Sequence, residues 1–126
     1  MKITDVECLI LDHQFPFVRV YTDEGLVGIG ECFRRQPHLV KFVVDDMLKP
    51  VLLGKDPVDT EVRWREMVRA GSAVEMGGAI YCAIAGLDIA LWDLKGKALG
   101  VPIYQLLGGK NKDKIRMYAS SLKRDM

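Results

Sequence analysis

Only two histidines, three cysteines and five prolines are spread through 126 residues, and neither sign of charge is in surplus. Eighteen lysines and arginines face seventeen aspartates and glutamates, leaving a net charge of +1. Each shortage removes a class of function. Without a basic excess, no overall field draws the chain to nucleic acid or to an anionic membrane. Cys8, Cys32 and Cys82 are odd in number and form no CxxC pair, which fits packed, reduced thiols in a cytoplasmic protein better than a disulfide framework. No window approaches the roughly 20 consecutive apolar residues of a membrane span. The most apolar stretch, residues 79–94, is interrupted by Gly86, Asp88 and Asp93. The opening MKITDVECLILDH places acidic residues where a signal peptide needs an unbroken apolar run, so secretion is not expected. There is no HExxH helix and no phosphate loop, and Ser72, Ser120 and Ser121 have no histidine and acid nearby to make a nucleophile.

What is present is 49% hydrophobic and 28% charged, the balance of a soluble globular domain, and its periodicity changes along the chain. Residues 3–11 alternate as a strand with Val6, Cys8 and Ile10 on one face; after a break at His13 to Pro16, residues 17–22 and 26–31 read as two more strands around an Asp23-Glu24-Gly25 turn. This predicts a three-stranded antiparallel meander. Leu39, Val40, Val43, Met47 and Leu48 then recur at helical spacing up to Pro50, which predicts a first helix ending there. Asp56-Pro57 is expected to cap a second helix running to about Ala70 and closed by Gly71. A long helix is expected over residues 79–99, stopped by Gly100, and a short one over 103–107. The long helix is apolar most of the way round and so calls for cover on several sides, part of it from another domain or subunit. Residues 115–120 alternate like a further strand with no partner left in the chain. The fold class is α+β, a meander followed by a helical bundle.

Three patterns invite chemistry and do not carry it. Gly28-Ile29-Gly30 lacks the third glycine of a dinucleotide loop, since Phe33 stands there, and its strand is antiparallel. Asp88 and Asp93 lie about 140° apart on the long helix and cannot converge on one ion. Lys95-Gly96-Lys97 falls on the same helix, where two positions diverge by about 200°, so the amines do not share a pocket.

The stretch AIAGLDIALWDLKGKALGVPIYQLLG, from Ala83 to Gly108, resembles the signature of the mandelate racemase and muconate lactonizing enzymes of the enolase superfamily. Ala83, Ala85-Gly86-Leu87-Asp88, Ala90-Leu91, Asp93-Leu94, Gly96-Lys97, Pro102-Ile103 and Leu106-Leu107-Gly108 stand in register with it. MKITDVE, DEGLVGIGE and GKDPVDTEVRWREMVRAG are similar to the same family's N-terminal domain, with the look of its acid-sugar dehydratases of the galactonate kind. The resemblance implies a capping domain over residues 1–112 and, over 113–126, the first strand of a (β/α)8 barrel, which alone takes roughly 250 residues. A truncated chain is therefore expected, inactive alone. It implies a dehydratase that binds Mg2+ and removes the proton α to a carboxylate, with metal ligands and bases on the barrel and no catalytic or metal residue in this chain. Racemase, epimerase or cycloisomerase chemistry is the alternative within the superfamily, and a non-catalytic interaction module is the alternative outside it. The expected partners are the chain's own barrel, a small carboxylate or sugar-acid substrate, and further copies in a homo-oligomer. Two segments match the family's substrate-covering loops: His13-Gln14-Phe15-Pro16-Phe17, and Cys32-Phe33-Arg34-Arg35-Gln36-Pro37. They nominate His13, Phe15, Phe17, Arg34, Arg35 and Gln36 as substrate-binding residues, the arginines for their fit to hydroxyls or a carboxylate. Ser120, near the end of the expected barrel strand, is nominated with them.

Overall fold

A computed structural model describes residues 1–72 and 77–118. Strands β1 (Ile3–Leu11), β2 (Phe15–Thr22) and β3 (Val27–Glu31) form one antiparallel sheet in the order β1-β2-β3. Alternation sets its inner face, where Val6, Cys8, Val18 and Val20 are buried. The first turn is shorter than the sequence suggests. β2 begins at Phe15, and Pro16 pairs with Ile10 inside the sheet. Proline is tolerated there because its missing N–H falls where β3 has ended: Cys32 N–H donates to the Pro16 carbonyl at 2.8 Å, and proline has no N–H with which to return the bond.

Helix α1 (Pro37–Phe42) runs without a break into a π-helical segment, Val43–Leu48, and then into α2 (Lys49–Leu52). Pro50 therefore does not stop the helix, contrary to the sequence expectation. A proline ring clashes with the carbonyl four residues back in regular α geometry, and the wider π turn just upstream changes that spacing. The second expectation also shifts: the Asp56 carboxylate accepts from Val58 N–H at 3.0 Å in a turn, and α3 (Thr60–Ser72) starts later, with Arg63 N–H donating to the Asp59 carbonyl. Gly71 lies inside α3, against Ile80. The long helix α4 (Gly78–Leu99) ends as expected, with Gly100 left-handed at φ 67° and the N–H groups of Gly100 and Val101 returning to Gly96 and Lys97 carbonyls. α5 (Ile103–Leu106) folds back on Gly96.

The core lies between the sheet and α4, which buries Ile80, Ile84, Leu87, Leu91 and Leu94. At β3 the approach is backbone to backbone. A Cβ on Gly28 would collide with the Ala90 carbonyl, one on Gly30 with the Gly86 carbonyl, and one on Gly86 with the Cys32 sulfur. The two strand glycines thus serve close packing against α4 rather than phosphate binding.

Both sheet edges are closed. Along β1, Ile3 exchanges backbone hydrogen bonds with Gly54 and Lys55, and Lys41 Nζ donates to the Cys8 carbonyl while pairing with Asp45 at 2.6 Å. Along β3, Asp93 accepts from Ile29 N–H, and Lys97 Nζ donates to both the Val27 carbonyl and Asp93. Each edge thus carries a lysine and an aspartate four residues apart on a helix. The strand expected over 115–120 is not formed across 115–118, which are exposed and irregular, and residues 119–120 lie outside the described residues. Such a strand needs a neighbour, and the edges of this sheet are taken. Among the described residues no helix is long and apolar enough to cross a membrane.

Candidate functional site

The meander sends two connections to the same end of the sheet. β2 starts at Phe15 and β3 ends at Glu31, with Phe17 opposite Glu31. The Asp12-His13-Gln14 turn and the Cys32 to Gln36 segment therefore leave side by side, pinned at their roots by the Cys32–Pro16 bond. His13, Arg34, Arg35 and Gln36 meet at this end and are all exposed. Phe17 lies in β2 as expected and Phe15 joins it there, both half-buried on the sheet face opposite Val18 and Val20. Ser120 lies outside the described residues.

The backbone of this end is unusual. Asp12 (φ 47°), His13 (φ 57°) and Gln36 (φ 55°) adopt left-handed conformations, and among the described residues they are the non-glycine residues with positive φ. Such a conformation costs a residue with a Cβ about 1–2 kcal/mol. Asp12 and His13 form the tight turn closed by Gln14 N–H on the Leu11 carbonyl at 3.1 Å. Gln36 turns the chain into α1, its carbonyl accepting from Leu39 and Val40 while its side chain caps nothing. Strain of this kind concentrates where side chains have work beyond folding. Sequence reading passed over Asp12, although aspartate is among the residues that tolerate this geometry in turns.

The surface chemistry is mixed. Arg35 lies over the Phe33 ring, 5.9 Å from its centroid, so the guanidinium rests on an aromatic plate, and among the described residues it makes no hydrogen bond. Leu11, Phe33 and Leu39 are 50%, 53% and 47% exposed, a concentration of apolar surface around two arginines. Behind them Cys8 and Cys32 are buried and inert. Burial, aided by the nearby Cys8 and Cys82 thiols, pushes Cys32 up to about 12, and burial pushes Cys8 up to about 11. Neither is a thiolate near neutrality. The lysine pair separates as its helical spacing requires, Lys97 going to the edge of β3 and Lys95 to the Trp92 ring. Asp93 is bound to β3, whereas Asp88 faces a cleft with Trp92 and α3. Among the described residues no three His, Cys, Asp or Glu side chains are grouped to hold a metal. This end of the molecule can grip an anion or hydroxyls against an apolar plate.

Comparison with known proteins identifies the family. Residues 10–108 match the family described as mandelate racemase / muconate lactonizing enzyme, N-terminal domain. A D-galactonate dehydratase of Verminephrobacter eiseniae is 47% identical over 120 residues, which are 94% of this chain and 31% of that protein. The crystal structure of an enolase-superfamily member from Salmonella Typhimurium superposes with a TM-score of 0.85 at 38% identity, over 94% of this chain and 31% of that one. An enolase from Pantoea ananatis, solved with bound D-gluconate and Mg, superposes at 0.80 with 36% identity, over 89% and 28%. The chain thus spans about a third of the length of the relatives it matches. By sequence and by fold, it belongs to the mandelate racemase / muconate lactonizing enzyme family of the enolase superfamily, as that family's N-terminal domain.

Proposed function

We propose that this chain is the capping, substrate-selecting part of a cytoplasmic acid-sugar dehydratase, residues 1–112 forming the cap and 113–126 leading into a catalytic barrel. The observation that carries the reading is the shared end of the sheet, where two strained connections hold Arg34, Arg35, His13 and Gln36 beside uncovered apolar surface. A guanidinium fixed on Phe33 suits the carboxylate and hydroxyls of a sugar acid, because its planar donors satisfy paired oxygens. The exposed leucines and phenylalanine exclude water once a second surface closes on them. Among the described residues no set of side chains fits the Mg2+ that such a dehydratase uses, so in this reading they contribute binding and enclosure, and the proton abstraction belongs to the barrel. The name and bound gluconate of the relatives support a sugar acid as the substrate class.

The test is Arg35→Ala in the protein extended through its barrel. A lost charged hydrogen bond is worth about 1.5–3 kcal/mol, so kcat/KM on the preferred sugar acid should fall roughly 10-fold to 100-fold. Unchanged kcat/KM on every accepted acid refutes the assignment.

A further inference from the structure

Helices α3 and α4 face each other through two pairs of side chains, each pair four residues apart and so on one side of its helix. Thr60 and Trp64 stand on α3, Asp88 and Trp92 on α4, and with Glu61 they line a cleft of about 300 Å3. The chain has two tryptophans, and both are here. Trp64 is 39% exposed, and Asp88 and Trp92 are half-buried. The lining thus combines two indole rings with two carboxylates and includes no basic side chain.

The basic residues nearest in sequence are engaged elsewhere. Arg65 pairs with Glu61 at 3.1 Å, Arg63 turns to Glu66 at 3.1 Å, and Lys95 rests over the Trp92 ring at 5.2 Å. Asp88 is left without a cationic partner among the described residues. Burial raises its carboxyl above the usual aspartate range, the Glu61 charge adds to the rise, and the Trp92 indole opposes it. A half-buried carboxyl in such surroundings gains from an incoming cation, which restores the charged form. The indole rings narrow the kind of cation. An ammonium is compact and strongly hydrated, whereas a guanidinium is planar, weakly hydrated, stacks on aromatic faces and offers paired N–H donors to the two oxygens of one carboxylate.

We propose that the cleft between α3 and α4 is a binding site for a guanidinium group, held against the Trp64 and Trp92 rings with its N–H donors on the Asp88 carboxylate. None of these residues belongs to the candidate site at the end of the sheet, and the proposal holds whatever reaction the longer protein catalyses. A guanidinium reaches such a cleft either on a free ligand or on an arginine of a longer polypeptide, and the test separates the two.

Because both tryptophans line the cleft, the emission of the 126-residue chain reports on its occupancy. Titration with N-acetylarginine amide at constant ionic strength should give a saturable change with a Kd of about 1–10 mM. N-acetylcitrulline amide, the uncharged isostere, should bind at least about tenfold more weakly. Asp88→Asn keeps the shape of the side chain and should weaken binding of the arginine compound at least about tenfold, with an unchanged circular dichroism spectrum. Trp64→Leu, at an exposed position, should weaken it about threefold or more, with Trp92 as the remaining reporter. Absence of a saturable change overturns the proposal. So does equal binding of the citrulline compound, or binding indifferent to either substitution. In a barrel-extended protein, the same Kd identifies a free ligand as the occupant. A silent titration there identifies an arginine of the polypeptide, provided that Asp88→Asn lowers the thermal midpoint by more than it does in the shorter chain. A silent titration without that excess means that another group fills the cleft, which also overturns the proposal.

Discussion

The two ends of the sheet solve the same backbone problem in opposite ways. At the Thr22 to Leu26 end, the left-handed position is given to Gly25 (φ 78°), and the turn is tied down by Thr22 to Leu26 bonds and by Asp23 bonds to Lys2. At the other end, three left-handed positions are given to Asp12, His13 and Gln36, which carry polar side chains and few bonds of their own. Glycine is the residue that folding alone would choose at such positions. The presence of aspartate, histidine and glutamine there, against that preference, is what distinguishes this pair of segments from a turn that only closes a hairpin.

The largest test of this contrast removes the support common to both ends. Gly30→Ala would drive a Cβ into the Gly86 carbonyl and lift β3 from α4. A loss of about 3 kcal/mol is expected by urea denaturation, with the Cys32–Pro16 root of the candidate site disturbed first. A loss below about 1 kcal/mol would mean that the approach is slack and the site end is not held by α4. The contrast itself is tested by exchanging the two solutions. Gly25→Ala meets no neighbour within 4 Å, so its cost is backbone alone, about 1–2 kcal/mol. His13→Gly and Gln36→Gly relieve that same term while freeing the unfolded chain, so stability should change by less than about 1 kcal/mol while kcat/KM of the barrel-extended protein falls. If His13→Gly destabilises the fold as much as Gly25→Ala does, the side chain is structural and the contrast fails.

The smallest effect is a pH dependence rooted beneath the candidate site. Cys8 and Cys32 have folded values raised to about 11 and about 12 from 9.0. The unfolded chain therefore releases these protons first, and the native state binds more protons above pH 9. The stability the two thiols contribute is fully present below about pH 9 and is lost as pH rises through 11 to 12. Thermal midpoints should fall over that range, and the fall should be shallower in a Cys8→Ala, Cys32→Ala double variant. An equal slope in both proteins would show that other groups control the alkaline limb.

Much of the fold was legible because its signals are local. Period-two alternation gave the meander, and Gly100 followed by Pro102 gave the end of α4. Apart from Gly71, which lies inside α3 rather than closing it, the main misplaced boundaries involve proline, whose effect depends on what its ring and missing N–H meet. Pro16 enters a strand because the neighbouring strand has just ended, Pro50 continues a helix because a π turn precedes it, and Pro57 sits in a turn rather than opening α3. None of those partners is close in sequence. The candidate site divides in the same way. Both of its segments were found through their resemblance to a family, and their shared end follows from the topology of any three-stranded meander. The left-handed Gln36 and the Arg35–Phe33 contact were not legible, since each is a product of how the segment is clamped between Cys32 and Pro37.

The lysine and aspartate pairs along β1 and β3 also limit how a larger molecule can be built around this one. A sheet with open edges grows by accepting another strand, whether from the same polypeptide or from a stranger. Here Lys41 and Lys97 already occupy the carbonyls that such a strand would seek. Any further strand in a longer polypeptide must therefore find partners of its own.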